Sequence, residues 1–113
     1  MSAGTMTRWL QFEVFTGPDD GQGGQDEDWT AFVAVWGEVV PVSATQLLMA
    51  GLLHMEVTHR LRTHWRRDLL TEKRGLRARV TDGPLFAIRT VRDVDGRRVL
   101  LECDAVEVTE ARP

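Results

Sequence analysis

Three histidines, thirteen arginines and one cysteine are the side chains whose spacing bears most directly on chemistry in this sequence. His54, His59 and His64 follow one another in steps of five. Such steps turn a helix by about 140° each and swap the face of a strand each time, so the imidazoles do not converge on a metal ion. Cys103 stands alone, which excludes an intrachain disulfide and a cysteine-based zinc site. None of the 17 acids sits in a recognisable acid/base context, and no Ser or Cys carries a nucleophile signature. Gly21, Gly23 and Gly24 lie among carboxylates that repel phosphate. These features point away from an enzyme, and no metal or cofactor is expected.

The arginines are the strongest chemical feature. Arg60, Arg62, His64 and Arg66 alternate with His59, Leu61, Thr63 and Trp65, and Arg67 follows. As a strand, the run 58–67 has one basic face and one half-apolar face; as a helix its charges would scatter, so a strand is read. Guanidinium forks at alternate positions suit nucleic-acid phosphates, and the absence of base-reading residues makes any such contact sequence-independent. The same forks equally suit carboxylates on neighbouring strands or on an adjacent subunit. Charge is segregated along the chain. Residues 1–56 hold one basic residue, Arg8, against eight acids, whereas residues 57–113 hold 13 basic residues against nine acids. The net charges of −7 and +4 suit a protein that meets a charged or complementary surface, or serve solubility alone.

These residues must be positioned by a small scaffold. The 113 residues, 42% apolar and 27% charged, fit one ordinary globular domain with a frayed start. No run reaches the roughly 18 apolar residues of a membrane span, and the N-terminus lacks a signal-peptide pattern. Residues 8–15 alternate Leu10, Phe12 and Val14 with polar neighbours and read as a strand. Residues 17–28 contain four Gly, one Pro and five acids (Asp19, Asp20, Asp26, Glu27, Asp28), and read as a long mobile surface loop. The Trp- and Val-rich run 29–40 reads as a central, largely buried strand, with Trp29, Phe32 and Trp36 in the core.

In 43–57, Ser43 and Gln46 have capping-box spacing, and Leu48, Leu52 and Met55 share a helical face. Leu47, Met49 and Leu53 make the segment apolar on other sides too. A core helix, or a stretch ordered only against another chain, fits equally. Residues 68–75 read as a loop, 76–80 as a short strand and 81–84 as a turn. Asp95-Gly96 predicts a two-residue hairpin turn between strands 85–94 and 97–108. Paired numbers then sum to 191: Phe86, Ile88 and Thr90 share an apolar face with Ala105, Cys103 and Leu101, Arg89 opposes Glu102, and Asp93 opposes Arg98. Residues 109–113 read as a loose tail. The expected fold is mostly β: a small antiparallel β-barrel with one long acidic loop and one short helix or flexible segment.

The runs WTAFVAVWGEVVPVS (29–43), THRLRTHWR (58–66), DGPLFAIRTVRD (82–93) and DGRRVLLEC (95–103), followed by Glu107, carry a resemblance in their order and spacing. Over about residues 8–107 the chain resembles the head–tail joining, or head-closure (stopper), proteins of long-tailed bacteriophages and phage-derived gene transfer agents. The resemblance implies a single β-barrel domain over 1–113 and a non-enzymatic virion neck component assembled in the bacterial host cytoplasm. Its implied partners are further copies of itself in a ring, a portal or adaptor protein above, a tail-terminator or tail-tube protein below, and packaged double-stranded DNA in the channel, with no membrane. It implies a channel-facing plug over 42–57, here with Ser43, Gln46, Leu48, Met49, Leu52, His54 and Met55. The usual Ser-Gly after the Pro is Ser43-Ala44 displaced by Val42, and the usual nearby acid is replaced by Gln46. Arg60, Arg62, His64, Arg66 and Arg67 would meet DNA or a neighbouring subunit, and the acids of 17–28 a neighbouring subunit. An adaptor or tail terminator of the same neck, and a sequence-independent nucleic-acid-binding barrel, are the alternative readings.

Overall fold

The computed structural model describes residues 6–17, 28–43 and 56–108. Period-two sequence becomes strand wherever one face can be buried, and six such strands close on each other. They are β1 (Arg8–Phe15), β2 (Trp29–Pro41), β3 (His59–His64), β4 (Leu76–Val80), β5 (Leu85–Asp93) and β6 (Leu100–Val108). All neighbours are antiparallel, in the closed order β1-β2-β3-β6-β5-β4. Closure leaves the sheet without free outer strands, and alternate residues of each strand point into the barrel. Leu10, Phe12, Leu61, Ala78, Phe86, Leu101, Cys103 and Ala105 fill it and are fully buried. Each large apolar side chain so buried contributes about 1.5–3 kcal/mol. The expected β-barrel is therefore the fold, and β1 has the predicted bounds.

Several local expectations are corrected. β2 does lie between two strands, but it is not largely buried: Gly37 is its one fully buried position, and Trp36 is 54% exposed. The reason is that β3 pairs only with Gly37–Pro41, so the first part of β2 has β1 on one side and no strand on the other. Phe32, Val33, Val35 and Val39 still pack against the core. Gly37 is required by a close approach, since a Cβ there would come within 2.6 Å of Leu10 Cδ1 and 2.8 Å of the Arg62 carbonyl oxygen.

A five-residue helix, α1 (Arg67–Thr71), occupies the start of the expected loop, and β3 ends at His64 rather than continuing to 67. Asp68 accepts the Leu69 backbone N–H at 2.8 Å, and Leu69 is buried in the barrel. One apolar side chain docked in the core holds a helix too short to stand alone.

The β5–β6 register also differs. The observed pairs include Ile88↔Ala105, Val91↔Cys103, Arg92↔Glu102 and Asp93↔Leu101, with a bulge between Ile88 and Thr90. The connection is longer than two residues. A 3-10 turn over Val94–Gly96 is followed by Arg97 to Val99, with positive φ at Asp95 (58°), Gly96 (63°) and Arg98 (58°). The apolar face holds Phe86, Leu101, Cys103 and Ala105 as expected, but the bulge turns Thr90 outward and lets both Ile88 and Val91 pack on the core. Asp93 does meet Arg98, but through its backbone: the Arg98 N–H donates to Oδ1 at 3.0 Å.

Candidate functional site

Two surfaces carry the residues of interest. The first is the outer face of β2, β3, β6 and β5. Leu61 and Thr63 point inward, so strand alternation places Arg60, Arg62 and His64 outward. The register then sets Arg60 beside Asp104 and Arg62 beside both Glu38 and Glu102. Arg62 Nε donates to Glu102 Oε2 at 2.8 Å, and Arg62 Nη1 lies 3.7 Å from Glu38 Oε1. Arg60 Nε donates to Asp104 Oδ1 at 3.4 Å. From the other side, Arg92 donates Nη2 to Glu102 Oε1 at 2.8 Å and to Asp104 Oδ1 at 3.1 Å, and Nη1 to Asp104 Oδ2. Thr90 Oγ1 also donates to Asp104 Oδ2, at 2.7 Å.

Three arginines thus face three carboxylates, and the cluster is neutral. The Asp104 side chain is only 1% exposed, and burial acts to raise its pKa. The hydrogen bonds from Arg92 and Thr90, with the charges of Arg92 and Arg60, outweigh that and hold its carboxyl below the usual range. Glu102 is held low in the same way, by Arg62 and Arg92 against its own burial. The hydrogen bond to Asp104 foremost, and that to Glu102, raise the Arg92 guanidinium further above its normal value. A similar pairing occupies β1 and β4, where Arg77 donates to Glu13 and stands 4.6 Å over the Trp29 ring, with Arg79 3.6 Å from the same carboxylate. Cys103, on the inner face, has its thiol pushed up to about 12 by burial and is chemically quiet.

The second surface was not legible in the sequence as a site. Trp9 and Trp36 are direct cross-strand partners on the outer face, 39% and 54% exposed, with ring centroids 4.9 Å apart in an edge-on pair. Together with Ala34, His64, Trp65 and Arg66 they border an open groove of about 440 Å³. The groove forms where β3 leaves β2 to start α1. Arg67 and Arg98 each place a guanidinium 5.7 Å from the Trp65 ring centroid. Trp65 donates its backbone N–H to the Val99 carbonyl at 3.0 Å, which joins exposed Val99 to the patch. Trp9 falling out of phase with Leu10, Phe12 and Val14 is the signal that alternation offered for one ring; which rings share a groove depends on the pairing of β1 with β2 and on where β3 ends.

Of the other sequence-derived positions, Arg66 pairs with Asp68, its Nη2 donating at 2.9 Å. His59 meets Thr58 at 2.9 Å and packs on Phe86. Ser43 is exposed at the end of the described stretch, and Gln46, Leu48, Met49, Leu52, His54 and Met55 lie outside the described residues. So do Asp19, Asp20, Asp26 and Glu27, while the Asp28 carbonyl accepts from the Thr16 and Gly17 backbone N–H groups at 2.6 and 3.0 Å.

The described residues form a small closed barrel whose outer face carries paired charges and an exposed aromatic groove. The chain belongs to the phage head completion protein family, whose model matches residues 1–108. It is a family of structural virion proteins that act with other head and tail components. No curated protein matches the chain. Among solved structures it is similar to the solution structure of protein SF1141 from Shigella flexneri 2a, at 20% identity and a TM-score of 0.66, covering 97% of this chain and 99% of that one. At that identity the likeness concerns the fold. Among the described residues no helix is long and apolar enough to cross a membrane.

Proposed function

We propose that this protein is the head-closure component of a virion neck, a single-domain subunit of a ring that sits between the portal or adaptor and the tail. In this reading the ring continues the DNA channel, residues 42–57 project toward it and close it, and the opposite surface receives the tail. Membership of the head completion family carries the reading. The geometry at the root of 42–57 supports it. Val42 donates its N–H to the Thr58 carbonyl at 3.0 Å, so the segment leaves and rejoins the barrel at one point. That point is held to β6, because Thr58 N–H donates to the Ala105 carbonyl at 2.9 Å and Glu107 N–H donates to Thr58 Oγ1 at 2.8 Å. A firm base on either side of the twelve residues 44–55 suits the plug this reading assigns to them.

The neutral cluster on the outer face bears on DNA contact. Arg60 and Arg62 already answer carboxylates of their own chain, so a tight phosphate clamp would first have to break those pairs. A channel through which DNA slides is better served by such neutralised arginines. The test uses DNA-filled heads that carry portal and adaptor but lack this protein. Added protein is expected to bind them, protect their DNA from leakage and permit tail joining. A variant with 44–55 replaced by a Gly-Ser linker is expected to bind but not retain DNA. Failure of the intact chain to bind such heads at any concentration overturns the reading.

A further inference from the structure

The edge of β2 is open beside the aromatic groove. In an antiparallel ladder, successive residues turn their backbone N–H and C=O to opposite sides of the strand. The Val42 N–H donates to the Thr58 carbonyl, and the β2–β3 pairs continue that register through Val40↔Arg60 and Glu38↔Arg62. Even-numbered residues of this stretch therefore turn their polar groups toward β3, and Pro41, which has no N–H, falls on the other parity. Trp36 and Ala34 come next in the series, but the pairing with β3 begins only at Gly37. Their N–H and C=O groups point into the gap where β3 has left, with no strand beside them among the described residues.

The side chains around this gap are apolar with a cationic rim. Three of the four large apolar side chains exposed among the described residues, Trp9, Trp36 and Val99, belong to this surface, and such grouping marks a contact site. Arg67 and Arg98, both exposed, stand 5.7 Å from the Trp65 ring centroid and make no ion pair among the described residues. We propose that the Trp9–Trp36–Trp65 groove takes an extended, acidic segment of another neck protein. That segment adds a strand to the open edge of β2, lays apolar side chains on the tryptophans and sets carboxylates on Arg67 and Arg98. A nucleic acid would leave the strand edge unpaired, and the Trp9–Trp36 pair, with ring planes 63° apart, does not align two rings for successive bases. The inference rests on the head-closure reading above and names the surface and the chemistry of one of its partner contacts.

The experiment is photo-cross-linking on DNA-filled heads that bear portal and adaptor, before and after tails join. The chain carries His64→Cys on the exposed groove wall, labelled with benzophenone maleimide; buried Cys103 does not compete. Irradiation is expected to join the chain to a different neck or tail protein, at a stretch rich in Asp and Glu that mass mapping locates. Adding Arg67→Glu and Arg98→Glu is expected to lower the yield about tenfold, whereas Arg67→Lys and Arg98→Lys keep most of it. Ala34→Pro removes one donor of the open edge, where proline is tolerated, so it is expected to fold and to lose the link. If the protein completes the heads but links to nothing, to another copy of itself, to DNA or to a stretch without acids, the inference is overturned and the head-closure reading stands. A link that survives the two glutamate substitutions, or a folded Ala34→Pro, overturns it as well. If the chain does not bind the heads at all, both fall.

Discussion

Asp104 carries a charge where almost no water reaches it, and two arginines and a threonine stand in for that water. Removing it strands Arg60 and Arg92 with one acceptor fewer. Breaking a buried pair from one side costs about 3–5 kcal/mol, and the partial exposure of Arg92 places Asp104→Ala near the lower figure. Urea unfolding measures this, and a loss below about 1 kcal/mol would contradict the burial argument. The same cluster sets a pH dependence. Asp104 and Glu102 are held below their ordinary values in the folded state. A depressed carboxyl stabilises the fold above its unfolded pKa of about 4 and loses that contribution as pH falls through the folded value. Stability is therefore expected to decline progressively below about pH 5, with a shallower slope in Asp104→Asn. A wild-type stability that stays level from neutral pH down to about 3 would refute the linkage.

At the level of elements, two irregularities do specific jobs. Gly37 lets β1 and β3 approach β2, so Gly37→Ala overpacks the barrel and is expected to cost about 1–3 kcal/mol despite the better strand propensity of Ala. The bulge at Arg89 switches which residues of β5 face inward. Because Arg89 is the extra residue, deleting it leaves Ile88 and Val91 inward and Thr90 and Arg92 outward in a regular ladder, and Arg89→Ala changes little beyond an exposed pair. Both variants are expected to keep a cooperative unfolding transition in circular dichroism melts, and its loss in the deletion would show that the barrel needs the bulge itself to close.

For the whole molecule, the plug reading treats residues 44–55 as separate from the barrel. The residues that flank them, Val42 and Thr58, are joined to each other, and Thr58 to β6, by hydrogen bonds of the described chain. Replacing 44–55 with a linker of equal length changes loop-closure entropy little, so the thermal midpoint is expected to stay within a few degrees of the native one. A collapse of the midpoint would mean that the segment is part of the core. The pairing of Glu13, Glu38 and Glu56 with arginines of residues 57–113 ties the two halves of the chain together, which the plain charge count hid.

Alternation was enough to locate most strands and to sort their faces. Leu10, Phe12 and Val14 point in, Arg60, Arg62 and His64 point out, and Phe86 faces the same interior as Cys103 and Ala105. These are local facts, because a period of two is written in consecutive residues. Partners are not local. Arg60 finds Asp104 forty-four positions away, and Arg77 finds Glu13 sixty-four away. The Asp95-Gly96 step advertised a tight turn, but Arg92 between Glu102 and Asp104 and the packing of both Ile88 and Val91 selected another register. α1 exists because Leu69 found the barrel interior, and Trp36 is exposed because β3 stops short of it. The sequence by itself determined what each residue prefers to face. Only closure of the barrel decided which residue it faces, since that choice minimises buried charge and empty volume over the whole chain at once.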